Sequence, residues 1–135
     1  MKTAGYSGTP LHKKLGIKPR QRAWFRGEPD GYRSELGKAG AFEIVKTFSG
    51  GLDFIHVFAA SRTELQREFP KLRDALRPDG MLWVSWPKKA SGKATDLDEN
   101  IVRDLGLKSG LVDVKVCAVD ETWSALKFVF RLKDR

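Results

Sequence analysis

Apolar residues recur along this chain in two rhythms. Nearly continuous apolar runs occur at Leu52 to Ala60 (LDFIHVFAA) and Met81 to Trp86 (MLWVSW), as expected of strands covered on both faces. Between and after them the spacing becomes helical: Leu65, Phe69, Leu72 and Leu76 share one face, and so do Ile101, Val102 and Leu105. The first helix opens with a capping box, Ser61 followed by Glu64, and runs to Leu76. The second starts within Thr95-Asp-Leu-Asp98, its acids placed where the helix dipole favours them, and Gly106 and Gly110 bracket its end.

Nearer the start, Thr9 as N-cap, Pro10 at the first helical position and Gly16 as terminator predict a short helix. Leu11 and Leu15 give it one docking stripe. A strand is expected over Arg22 to Arg26, then a turn at Gly27-Glu-Pro-Asp-Gly31 and a brief helix over Tyr32 to Leu36, closed by Gly37. A second strand is expected over Ala41 to Lys46. Two strands end the chain, Val112 to Val119 and Trp123 to Leu132, and the short link Asp120-Glu-Thr requires them to be antiparallel.

The resulting order, α-β-α-β-β-α-β-α-β-β, predicts an α/β protein. It should be a Rossmann-like three-layer sandwich, with a mostly parallel sheet of about six strands and a C-terminal antiparallel hairpin. One domain is expected over residues 1–135, with 1–19 as an N-terminal capped helix and arm and 20–132 as the core.

Composition narrows the class. With 41% apolar and 31% charged residues in 135, the chain reads as folded and soluble. No run approaches the roughly 18–20 apolar residues of a membrane span, and MKTAGYSGTPLHKK has no apolar core, so neither membrane association nor a secretory signal is expected. The single Cys117 cannot form an internal disulfide, which suits a reducing cytoplasm. His12 and His56 are too far apart for a zinc site of usual spacing, so no metal is expected.

The net charge of +8 is unevenly spread. Residues 1–38 hold nine Lys/Arg against three acids, whereas residues 39–86 hold six of each. A small second cluster stands at Lys88, Lys89 and Lys93. Such asymmetry favours an anionic partner, either a ligand or an acidic protein, with nucleic acid bound only non-specifically; the plainer reading is a basic, solvated surface.

A parallel sheet ended by an antiparallel hairpin resembles the Rossmann-type fold of class I S-adenosylmethionine-dependent methyltransferases. LRPDGMLWVSWP resembles the fifth strand of that superfamily with its preceding turn, and the likeness covers residues 20–132. In addition, YSGTPLHKKLGIK and WPKKASGKATDLDENIVRDLGLKSGLVDVKVCAVDETWSALKF resemble a bacterial family of small domains of unknown function. That second resemblance covers nearly the whole chain and implies no activity.

The methyltransferase resemblance makes demands that the residues meet poorly. The loop after the first strand should be glycine-rich, but Gly27 and Gly31 enclose Glu28 and the amide-lacking Pro29. An acid should end the second strand to hold ribose hydroxyls, but Lys46 and Thr47 stand there; a lysine suits a phosphate instead. Ser61 is explained as a cap, Cys117 as a packed strand residue, and His56 as a hydrogen-bonded core or edge histidine. Asp96, Asp98 and Glu99 read as dipole partners. There is no G-x-S-x-G, Walker or H-E-x-x-H pattern. No cofactor and no catalytic residue are assigned.

Two candidate anion sites remain. Lys88, Lys89, Ser91, Gly92 and Lys93, with Arg62, lie where ligands bind at the carboxyl ends of strands and just ahead of a helix; otherwise they are solvated loop charges. Ser7 and Thr9, with Lys13 and Lys14, form the second; otherwise Thr9 is a simple cap. Of Trp24, Trp83, Trp86 and Trp123, all expected to pack, Trp86 and Trp123 could stack a base if exposed beside the lysines. The expectation is a non-catalytic, methyltransferase-like binding or regulatory module with a basic rim. The alternatives are an enzyme acting on a nucleotide or phosphorylated substrate, and non-specific nucleic-acid binding.

Overall fold

The computed structural model describes residues 8–135, so Ser7 of the second candidate site lies outside the described residues. Six strands form one sheet: β1 (Arg22–Arg26), β2 (Glu43–Ile44), β3 (Leu52–Phe58), β4 (Leu76–Pro87), β5 (Leu111–Ala118) and β6 (Trp123–Phe130). Their order is β2-β1-β3-β4-β6-β5. The first four run parallel, and β6 is antiparallel to both β4 and β5. Among the described residues the α-helices are α1 (Leu11–Leu15), α2 (Tyr32–Leu36), α3 (Arg62–Ala75) and α4 (Glu99–Lys108). The element order and the mixed α/β class agree with the apolar periodicity.

Alternation along the strands divides the core in two. On one face Leu52, Ile55, Val57, Leu82, Val84 and Trp86 meet Leu65, Phe69 and Leu72 of α3 and Val102 and Leu105 of α4. On the other, Ala23, Phe25, Phe54 and Trp83 meet Leu11 and Leu15 of α1 and Tyr32 and Leu36 of α2. A helix as short as α1 is not stable alone. It is held by its carbonyl end: the Trp83 indole donates to the Leu15 carbonyl at 2.9 Å, and the Lys115 ammonium donates to the Lys14 carbonyl at 2.9 Å.

Several boundaries differ from expectation for identifiable reasons. β2 is only Glu43–Ile44, because as an edge strand it pairs solely with Arg22 and Ala23 of a short β1. Pro10, not Thr9, occupies the position before α1 and makes no side-chain cap bond; Gly16, at φ 76°, closes the helix as expected. α4 begins at Glu99, with Asp98 as its cap accepting the Ile101 amide at 2.8 Å. Thr95 and Asp96 instead reach back to α3. The Thr95 hydroxyl donates to the Ala60 carbonyl, and Asp96 accepts the Arg62 amide, each at 2.7 Å.

α4 ends at Lys108, between Gly106 and Gly110 as expected. Gly106 lies within the helix against Phe128, and a Cβ there would fall 2.0 Å from the ring. The Arg77-to-Gly80 turn is an irregularity at the start of β4, where the register jumps from Leu52–Leu76 to Phe54–Met81. Among the described residues, no helix is long and apolar enough to cross a membrane.

Candidate functional site

In this strand order β1 is followed by β2 on one side and has β3 on the other, so the order reverses between β1 and β3. That is where open α/β sheets bind ligands, beyond the carboxyl ends of the strands. The chain fills this point with its own side chains. Tyr32, the first residue of α2, is fully buried, and its ring lies 5.1 Å from Phe25 of β1 and 5.4 Å from Phe58 of β3. Its hydroxyl sits 2.7 Å from Nδ1 of His56, whose Nε2 sits 2.7 Å from the Ser85 hydroxyl on β4.

This relay is structural in character. Burial alone lowers the His56 imidazole to about 3, so the ring is neutral at physiological pH, and a neutral imidazole donates from one nitrogen and accepts at the other. Burial first, then the Glu28 carboxylate, pushes the Tyr32 phenol well above its ordinary value. Phe58 stacks on His56 with centroids 4.2 Å apart. His56 is thus a satisfied core histidine. Tyr32 and Ser85 were not readable as its partners, since each lies more than twenty residues away in sequence.

The loop after β1 closes over the same point. Gly27 has φ 74°, and a Cβ on it would lie 3.0 Å from the Phe58 carbonyl oxygen. The close approach that a glycine permits here is made to the protein's own backbone. Arg26 turns away and pairs with Glu68 of α3. Lys46, expected to end β2, lies two residues beyond it.

The first candidate site is partly assembled. Lys88 donates from its ammonium to the Asp120 carbonyl at 2.7 Å, tying the loop to the β5–β6 turn. The Ser91 hydroxyl donates to the Lys88 carbonyl at 2.6 Å and accepts the Lys93 amide at 3.2 Å, so it serves the loop's own geometry. Gly92 takes a φ of 73° and ends the short 3-10 turn at Lys89–Ser91. The Lys93 ammonium lies 5.8 Å over the Trp123 ring, and Trp123 packs edge-on against Phe58 at 5.2 Å. Arg62 and Lys89 are exposed. Loop amides expected to cradle a phosphate are turned inward, Ser91 donating to the Lys88 carbonyl at 3.1 Å and Gly92 to the Lys89 carbonyl at 3.2 Å; at the flanking helices Asp96 takes the Arg62 amide and Asp98 the Ile101 amide. Trp86, proposed as a stacking surface, is only 6% exposed and belongs to the core beneath α3 and α4; Trp123 is the half-buried tryptophan of this rim.

Two lysines of the second candidate site take different settings. Lys13 is exposed, whereas Lys14 is buried and its ammonium donates to the Ala118 carbonyl at 3.4 Å. Cys117 is half-buried; burial pushes its thiol up, against the opposing influence of Lys14, Lys115 and Lys88. Among the described residues, no three His, Cys, Asp or Glu side chains gather as a metal would require.

Comparison with solved structures places this architecture. The mitomycin 7-O-methyltransferase MmcR superimposes with a TM-score of 0.65 at 13% identity, over 90% of this chain and 53% of that one. A ribosomal protein L11 methylase from Lactobacillus delbrueckii subsp. bulgaricus gives 0.60 at 14%, over 90% of this chain and 75% of that one. A putative methyltransferase from Thermoplasma acidophilum gives 0.61 at 10%, over 96% and 77%. The fold is Rossmann-like and methyltransferase-like. No family model matches the sequence, and no curated protein matches it either. The chain spans about half the length of the mitomycin enzyme.

S-adenosylmethionine, the cofactor this fold implies, is poorly accommodated by the residues present. The Tyr32 ring is buried against Phe25 of β1 and Phe58 of β3, and Gly27 abuts the Phe58 backbone. A lysine stands where an acid would accept the ribose hydroxyls.

Proposed function

We propose that this chain is a non-catalytic, methyltransferase-like binding or regulatory module whose basic rim, Lys88, Lys89 and Lys93 with Arg62, engages an anionic partner. The observation that carries this reading is the filling of the switch point by Tyr32, in contact with Phe25, His56 and Phe58. An enzyme acting on a nucleotide or phosphorylated substrate needs that crevice open. The burial of Tyr32, Phe58 and Trp86 speaks against such an enzyme.

At the rim, Asp96 takes the Arg62 amide and Asp98 the Ile101 amide, which puts the emphasis on side-chain ammonium and guanidinium groups for recognition. Charges presented this way suit an acidic protein surface, engaged with strong salt dependence. We further propose a single domain over residues 1–135 acting in the cytoplasm. The likeness to the bacterial small-domain family rests on the YSGTPLHKKLGIK and DETWS segments.

A thermal-shift screen tests the reading, because a bound ligand raises apparent stability. S-adenosylmethionine, its demethylated product and nucleotides should leave the transition unmoved. An acidic polypeptide should raise it, and replacing Lys88, Lys89 and Lys93 together by Ala should remove that effect. A cofactor-dependent rise, or an unaltered acidic-polypeptide effect in the triple variant, contradicts the proposal.

A further inference from the structure

Lys127 occupies a position where lysine is costly. It lies midway along β6, a strand flanked by β4 and β5, and directly opposite Lys115. Like charges directly opposed on neighbouring strands destabilise the pairing. A lysine partly buried within a sheet ordinarily has a carboxylate partner. Among the described residues, none forms an ion pair with Lys18, Lys115 or Lys127.

The acids of the hairpin are committed elsewhere. Asp113 accepts the Arg103 guanidinium at 2.8 Å on the α4 side, and Asp120 accepts the Thr122 and Trp123 amides at 2.8 Å each. Alternation places Lys127 on the face of β6 that carries Ala125 and Val129, the α1 side of the sheet. Lys115 reaches the same side, since its ammonium donates to the Lys14 carbonyl of α1. Lys18 follows α1 by three residues, and the last carbonyl of that helix, Leu15, takes the indole of Trp83, the β4 neighbour of Lys127; burial first, then Lys115 and Lys18, lowers the Lys127 ammonium from its ordinary value. Lys14 and Cys117 border it.

We propose that Lys18, Lys115 and Lys127 form a binding site for a phosphate dianion, carried by free phosphate or a small phosphomonoester, on the α1 side of the β5–β6 hairpin. Compact ammonium groups carried by different elements on one side of the sheet suit tetrahedral phosphate oxygens as point charges, whereas the planar fork of arginine suits a carboxylate. A dianion offsets the repulsion between Lys115 and Lys127 and supplies the negative charge that no ion pair brings to them. Partial burial of Lys127 reduces screening by salt. The site is separate from the rim of Lys88 to Lys93, so either can fail without the other.

The test is titration calorimetry and thermal shift on the full chain with inorganic phosphate and with glycerol phosphate. Wild type, Lys127→Met, Lys115→Met and Lys89→Met are compared. Wild type and Lys89→Met should bind saturably and unfold at higher temperature with phosphate. Lys127→Met and Lys115→Met should unfold at a higher temperature than wild type without phosphate, and each should weaken binding at least about tenfold, as expected for losing one charge-assisted bond. Equal affinity for the two ligands assigns free phosphate, and tighter binding of the ester assigns the ester. Absence of saturable phosphate binding in wild type overturns the proposal, as does unchanged affinity in both Lys115→Met and Lys127→Met. Binding confined to a single-stranded RNA oligomer, falling steeply with salt, also overturns it.

Discussion

The Tyr32 hydroxyl lies 2.7 Å from Nδ1 of His56, and this bond joins the helix that follows β1 to β3, across the point where the strand order reverses. Both partners are fully buried. A buried donor or acceptor that loses its partner bears the desolvation cost of that group. Tyr32→Phe keeps the ring and orphans the imidazole nitrogen, so it should cost about 1–3 kcal/mol. Tyr32→Ala also empties the space between Phe25 and Phe58 and should cost about 3–5 kcal/mol. Urea unfolding of both variants checks the order.

Stability should fall in acid partly because of His56. Its pKa drops from 6.5 to about 3 in the folded protein, so between those values the unfolded chain binds the proton and the native one does not. The contribution is fully present above the unfolded value and is lost as the pH falls toward 3. This one group should give a slope approaching about 1.4 kcal/mol per pH unit within that window. Comparing wild type with His56→Asn across pH 3 to 6.5 should show a shallower acid slope in the variant, whatever its absolute stability.

Gly106→Ala reverses a familiar expectation. In an exposed helix interior the change stabilises by about 1 kcal/mol. Here a Cβ would stand 2.0 Å from Cε1 of Phe128, a ring packed edge-on against Phe69. Overpacking of that kind should destabilise by about 1–3 kcal/mol net. Thermal unfolding reads the sign directly.

Asp96 couples stability to the rim. Asp96→Ala removes the acceptor of the Arg62 amide and should cost about 0.5–2 kcal/mol, in the range of a lost helix cap. The same change removes a negative charge beside Arg62, so the salt needed to elute the protein from a polyanionic column should rise.

Much of the architecture was legible in the chain because it rests on local pattern. β1 and α2 fall at their expected residues, and the hairpin follows from the shortness of Asp120-Glu-Thr. β2 was over-read because strand propensity does not reveal how few partners an edge strand has. Asp96, Asp98 and Glu99 read together as dipole partners, yet Asp96 serves α3 while Asp98 caps α4 and Glu99 stands in its first turn. Their division of labour is a tertiary contact with no local signature. The Tyr32–His56–Ser85 relay was illegible for the same reason. The Lys115–Lys127 pair did leave a trace: each lies six residues from Glu121, and a hairpin centred there sets them opposite each other.

The most direct test of the account is equilibrium binding of S-adenosylmethionine to the wild-type protein by titration calorimetry, which requires no knowledge of a methyl acceptor. With Tyr32 packed against Phe25 of β1 and Phe58 of β3 and Gly27 against the Phe58 carbonyl, no saturable binding is expected. Saturable binding of one equivalent, competed by the demethylated product, would contradict the claim that this fold has closed its cofactor crevice.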